Sequence, residues 1–153
     1  MRHVVAGALL VMCGFVLGFP QVGGAAMMDP TAGIKAELKT AFFHSSELAQ
    51  RGTATAAVQL HAQHTINCLE GPAGMHFKAA AGFPCQGQGN GIIPDLRAAV
   101  AHGVPGAKEA LADATTAWAL AMQAVTMTNV NEAQPWMKVV AEYLSKASAD
   151  LGG

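Results

Sequence analysis

The sequence predicts an all-α protein, a small four-helix bundle with one long loop in its middle. Apolar residues recur at three- and four-residue spacing in four separate stretches, which is the pattern of amphipathic helices. No stretch alternates convincingly between apolar and polar residues, so we expect no β-sheet. A Gly- and Pro-rich segment, residues 71–94, separates the first pair of long helices from the second. Short connections within each pair indicate two helical hairpins joined by this crossover loop.

The beginning of the chain, residues 1–26, has the pattern of a secretory signal peptide. Arg2 supplies a positive charge, an apolar stretch follows from Val4 to Phe19, and small residues occupy positions 23–26. The apolar stretch is shorter than the roughly 20 residues that a membrane-spanning helix needs. We therefore expect cleavage after Ala26, export to the periplasm or the cell exterior, and no membrane span in the mature chain.

The rest of the chain, residues 27–153, is long enough for a single domain with one hydrophobic core. The whole sequence has 9 Lys and Arg against 10 Asp and Glu, a formal net charge of −1 at pH 7. These charges are dispersed along the chain, whereas nucleic-acid binding needs clustered Lys and Arg to neutralise phosphates. We expect no nucleic-acid partner.

The first helical hairpin is predicted from its boundary residues. The first helix runs from Thr31 to Gln50, because Gly52 suits a helix end. The second begins after Thr53, whose hydroxyl can cap it, and ends before Gly71. The side of the second helix that should face its neighbours carries Ala54, Ala57, Val58, His61, His64 or Thr65, and Cys68.

The second half of the chain contains a short helix and another hairpin. Gly103 and Pro105 limit the short helix to residues 95–102, and the third long helix follows over residues 106–129. The fourth long helix opens between Asn131 and Pro135. Helix-on-helix packing is indicated in the third helix by two sets of residues that repeat every seven positions: Ala107, Ala114, Ala121 and Thr128, and Leu111, Trp118 and Val125.

Two cysteines, Cys68 and Cys85, remain after cleavage of the signal peptide. Because export places them in an oxidising compartment, a disulfide between them is expected. It would tie the long loop to the end of the second helix and stabilise the fold by about 3 kcal/mol. The alternative keeps Cys68 as a free thiolate beside the histidines.

Three histidines are predicted to converge between the first two helices. If the chain reverses near residues 52 and 53, His44 lies level with His61, and His64 lies one turn further along the second helix. Metal sites in helical bundles are built in this way, from side chains on facing helices. Imidazole is a good ligand for zinc, copper and iron, and Glu47, one turn from His44, could add a carboxylate. The sequence therefore predicts a transition-metal site formed by His44, His61, His64 and Glu47.

Two alternatives to a metal ion stay open at the level of sequence. Non-covalent haem ranks below a simple ion, because the chain lacks a CxxCH motif and nothing in the sequence identifies a cavity. The second alternative is a cofactor-free, disulfide-stabilised bundle whose histidines are ordinary hydrogen-bonded residues, and whose loop or helix groove binds another protein.

No catalytic arrangement is apparent in the sequence. Ser45 and Ser46 adjoin His44, but side chains one or two positions apart on a helix do not face each other. The chain has no GxSxG, no Rossmann glycine set and no HExxH. We expect a binding protein rather than an enzyme.

Overall fold

The structure is a computed structural model, and it describes residue 29 and residues 31–152. This part of the chain is all-helical and contains no strand, as the sequence predicts. The predicted signal peptide, residues 1–26, lies outside the described residues and stays a prediction.

The helices of the described residues follow one another with short connections, apart from the loop before α4. In chain order they are α1 (Ala32–Phe43), a π-helical segment (His44–Leu48), α2 (Ala49–Arg51), α3 (Thr55–Glu70), α4 (Ile92–Ala101), α5 (Ala107–Ala124) and α6 (Val130–Asp150). The π-helical segment and α2 continue α1 without a break.

Four of the helices form a closed ring of neighbours around the core. Helix α1 contacts α3, α3 contacts α5, α5 contacts α6, and α6 contacts α1, with the most extensive contact between α5 and α6. Helix α4 packs on α5, α3 and α1. The predicted four-helix bundle is thus correct as an all-helical fold, but five helices of ten or more residues pack together in the described part of the chain.

The side of α5 that faces the core consists mainly of alanine. The fully buried side chains of this helix recur at three- and four-residue spacing and include Ala107, Ala110, Ala114, Ala117, Ala121 and Ala124. Leu111, Trp118 and Val125, the other predicted heptad set, are only partly buried. Small side chains let the backbones of packed helices approach closely, which accounts for the extensive contact of α5 with α6.

Several helix boundaries in the second half of the chain differ from the prediction. Helix α4 begins at Ile92, so Pro94 is its third residue, where a backbone N–H has no partner within the helix. Helix α6 begins at Val130 because the side chain of Asn129 accepts a hydrogen bond from the Asn131 N–H at 3.0 Å. Because α4 begins at Ile92, the loop is shorter than predicted and covers residues 71–91. In addition, α5 ends at Ala124 rather than at residue 129.

The connection between α2 and α3 is held by a side chain of α6, and the predicted Thr53 cap is not formed. Ala54 occupies the N-cap position of α3 and makes no side-chain cap. Gln134 of α6 donates instead to the carbonyl oxygens of Ala49, Gln50 and Gly52 at 2.9–3.3 Å.

The predicted disulfide between Cys68 and Cys85 is confirmed, with 5.4 Å between the Cα atoms. Buried polar side chains of α3 hold the same loop. Asn67 donates to the carbonyl oxygens of Lys78 and Gly82 at 2.9 and 2.6 Å, and Gln63 donates to that of His76 at 2.9 Å. These bonds satisfy loop backbone groups that a surface segment would leave to water, so the glycine-rich loop has a defined path over α3.

A buried carboxyl group lies where this loop meets α1. Glu37 is fully buried, and its Oε1 accepts a hydrogen bond from the Gly91 N–H at 2.9 Å. Its Oε2 has no hydrogen-bond partner among the described residues. Burial, and then the negative charge of Asp95, raise the pKa of Glu37 to about 7.

We expect this carboxyl group to make stability fall as the pH rises. The folded pKa lies above the ordinary value of 4.5 for a glutamate side chain, so the native state holds the proton that the unfolded state releases. The contribution is complete below pH 4.5 and is lost as the pH rises through 7, by about 3 kcal/mol in total. Urea unfolding of wild type and Glu37→Gln from pH 4.5 to 8 measures this component, because other titrating groups cancel in the difference. Parallel pH profiles of the two proteins would contradict it.

Candidate metal centre

The helix that carries His44 departs from α-helical geometry at this residue. The π-helical segment begins at this residue and ends at Leu48. Two serine hydroxyls bind carbonyl oxygens of the preceding turn: Ser45 donates to Ala41 and Phe42 at 3.0 Å, and Ser46 donates to Phe42 at 2.8 Å. Short π-helical segments are rare and frequently occur at functional sites. The segment shifts the helix face downstream of His44.

Three imidazoles converge between the π-helical segment and α3. Nδ1 of His44 lies 3.2 Å from Nδ1 of His61 and 3.1 Å from Nδ1 of His64. One ring nitrogen from each residue falls within a group whose members are all within 4.8 Å of one another. The predicted antiparallel register, with His44 level with His61, is therefore confirmed.

The outer nitrogen of His64 is fixed by the loop. Its Nε2 lies 2.5 Å from the carbonyl oxygen of Ala81. A carbonyl oxygen only accepts hydrogen bonds, so Nε2 carries the hydrogen, and in the neutral ring Nδ1 carries a lone pair. That lone pair lies on the side of His44.

The two contacts made by His44 cannot both be ordinary hydrogen bonds between neutral rings. A ring nitrogen of neutral imidazole has either one hydrogen or one lone pair, and Nδ1 of His44 has two close nitrogen neighbours. A single cation placed among the three Nδ1 atoms would accept a lone pair from each ring. The geometry therefore suits a metal ion better than it suits a hydrogen-bonded trio.

The surroundings of His44 and His61 favour the neutral form of these two rings. Burial, followed by the charges of His64 and His61, lowers the pKa of His44 to about 4. Burial and the charge of His64 also lower the pKa of His61. Since metal binding requires neutral imidazole, these rings are ready to bind at neutral pH without first losing a proton. All three residues are only half-buried, which leaves the centre accessible to an ion.

Sequence reasoning missed the residues that orient His64. Ala81 ends a short 3₁₀ turn, Ala79–Ala81, and Asn67 fastens the backbone on both sides of this turn through Lys78 and Gly82. Metal-binding histidines commonly donate their second ring N–H to a backbone carbonyl, which fixes the tautomer and the ring orientation. The sequence could have pointed to Asn67, because it is a polar residue one turn from His64 on the inner side of α3. Nothing in the sequence points to Ala81.

Glu47, the fourth residue of the predicted site, lies elsewhere, as do Cys68, His76 and His102. Glu47 is exposed and its carboxylate binds the Arg51 guanidinium at 2.8 Å, so the structure does not bring it to the three histidines. Cys68 is oxidised in the disulfide and offers no thiolate. His76 lies on the loop and contacts Glu70 at the end of α3. His102 follows α4 and is exposed.

Within residues 31–152, no helix has both the length and the apolar character needed to cross a membrane. Comparison of the chain with protein-family models, curated proteins and solved structures finds no match. The site must be interpreted from its own chemistry.

Proposed function

We propose that this protein is an exported helical protein that binds one transition-metal ion through Nδ1 of His44, His61 and His64. The observation that carries the proposal is the close approach of three Nδ1 atoms while Nε2 of His64 is committed to a backbone carbonyl. Storage, transport or sensing of the ion would suit such a site. The proposed function is binding and includes no catalytic step.

The spacing of the nitrogens supports a small ion with tetrahedral preference. Zinc–nitrogen bonds of 2.0–2.1 Å place neighbouring nitrogens of a tetrahedron about 3.3 Å apart. The two closest pairs in the cluster, at 3.1 and 3.2 Å, are near this value. Three protein ligands leave a fourth position for water or an exchangeable ligand. Zinc, copper and iron all accept imidazole, and this ligand set does not choose among them.

The same spacing disfavours haem at this cluster. Two axial ligands of one haem approach the iron from opposite faces of the porphyrin. Imidazole nitrogens 3.1–3.2 Å apart cannot be placed on two sides of such a ring. A free ion is therefore the better proposal.

Export is supported by the disulfide. Disulfides persist in oxidising compartments and are rare in the cytosol. The bond between Cys68 and Cys85 joins the signal-like N-terminal sequence as a second indication of a periplasmic or extracellular location.

The proposal is tested by titrating tag-free, chelator-treated protein with Zn²⁺ and with Co²⁺. We expect one ion per chain, and a Co²⁺ spectrum of the intensity that four-coordinate sites give. A His61→Ala/His64→Ala variant should lose both signals. A His76→Gln/His102→Gln variant removes as many imidazoles elsewhere and should keep them.

A cofactor-free helical protein that binds another protein is the alternative function. It predicts negligible metal binding that is identical in wild type and in the His61→Ala/His64→Ala variant. It also predicts that chelators leave the thermal stability of freshly isolated protein unchanged. Either result would refute the metal proposal.

A further inference from the structure

A second site lies away from the three histidines, where the loop meets α4 and α5. A cavity of about 500 Å³ opens there. This volume is within the range of about 300–1,000 Å³ that is typical of small-molecule sites. Apolar parts of Ile93, Pro94 and Trp118 contribute to its lining, and Arg97, Thr115 and His76 contribute polar groups.

One wall of this cavity is preorganised by a carboxylate at the end of α3. Oε1 of Glu70 accepts hydrogen bonds from the indole Nε1–H of Trp118 at 2.6 Å and from Nδ1 of His76 at 2.7 Å. Oε2 accepts a third bond from the His76 backbone N–H at 2.7 Å. The side chain of Glu70 is only 11% exposed. Both aromatic rings are thus fixed before any ligand arrives, with centroids 5.7 Å apart.

The polar groups of this cavity that have no partner among the described residues define what it can bind. The bond to Glu70 places the hydrogen of the neutral His76 ring on Nδ1, so Nε2 offers a lone pair. No described residue forms a hydrogen bond with that Nε2 or an ion pair with Arg97. Glu70 already accepts three hydrogen bonds, which use most of its acceptor capacity.

From these contacts we infer that the cavity binds a small planar aromatic carboxylate that carries a ring N–H or O–H donor. The guanidinium of Arg97 pairs with the ligand carboxylate, since its fork of donors matches a carboxylate in a bidentate manner. The ligand ring packs on Trp118, and its donor binds Nε2 of His76. The inference is independent of the metal site.

Indole-3-acetate is a suitable probe, because it has the planar ring, the ring N–H and the carboxylate. Metal-free protein is used, so that the carboxylate cannot bind an ion at the histidine cluster. We expect saturable binding with a shift of the Trp118 indole N–H resonance, while that of Trp136, which does not line the cavity, stays in place. Indole-3-acetamide lacks the charge and should bind at least about tenfold more weakly.

Variants separate the proposed contacts from general affinity for indoles. Arg97→Met should weaken indole-3-acetate about tenfold and leave indole-3-acetamide unchanged. Arg51→Met removes the same charge near the far end of α3 and should have no effect. Thr115→Trp, at an exposed position on α5, should block both compounds by filling the cavity. No binding up to about 10 mM, equal binding of acid and amide, or full binding by Arg97→Met would overturn the inference.

Discussion

Replacing His44 with alanine is expected to weaken metal binding by at least about 100-fold. Its Nδ1 is the atom with two close nitrogen neighbours, so its removal leaves only two ligands, both on α3. The two remaining imidazoles lie on one helix, so the ion would no longer be held between two helices. Competition against a chromogenic chelator gives the dissociation constants of wild type and variant. The His44 side chain is only half-buried, so the variant should fold.

A matched control for this variant is available on the same turn of the chain. Glu47→Gln should leave the metal dissociation constant within about twofold of wild type, because the Glu47 carboxylate binds Arg51 at the surface. A large loss of affinity in Glu47→Gln would restore the four-ligand site that the sequence suggests. Unchanged affinity in His44→Ala would show that the histidine cluster does not hold the ion.

The second large effect is expected from the disulfide. A Cys68→Ala/Cys85→Ala variant should lose about 3 kcal/mol of unfolding free energy, because the bond closes a loop between residues 17 positions apart in the sequence. Both cysteines are fully buried, so alanine avoids placing new polar atoms in the core. Urea unfolding in the absence of reductant measures the change.

The effect of the disulfide on stability can be separated from the effect of the substitutions. Reductant should lower the stability of wild type to nearly that of the double variant and should leave the variant itself unchanged. Equal stability of wild-type protein with and without reductant would contradict the prediction.

The parts of the fold that the sequence predicts are those governed by short-range periodicity. Apolar spacing gives the long helices, and the short reversal near Gly52 fixes the register of α1 against α3. That register alone brings His44 level with His61, which is why the histidine cluster is predictable. The disulfide follows from the cysteine count and the expected export.

The parts that the sequence does not predict depend on backbone geometry and tertiary partners. Glu47 shares a face with His44 only if the helix is regular, and the π-helical segment, in which each turn takes more residues, removes it from that face. The sequence predicts a loop at Pro94, but this residue lies in the first turn of α4, where proline is tolerated. The cavity beside Trp118 depends on where the loop docks, and no local pattern records this.

The hydrogen bond between His64 and Ala81 has an evolutionary consequence. The accepting atom belongs to the main chain, so almost any amino acid at position 81 can supply it. Amino-acid substitutions in this segment would then leave the hydrogen bond to the imidazole in place. Insertion or deletion of one residue between the 3₁₀ turn and Cys85 would move the carbonyl out of reach. In proteins descended from a common ancestor, the number of residues in this stretch should therefore be preserved more strictly than their identity.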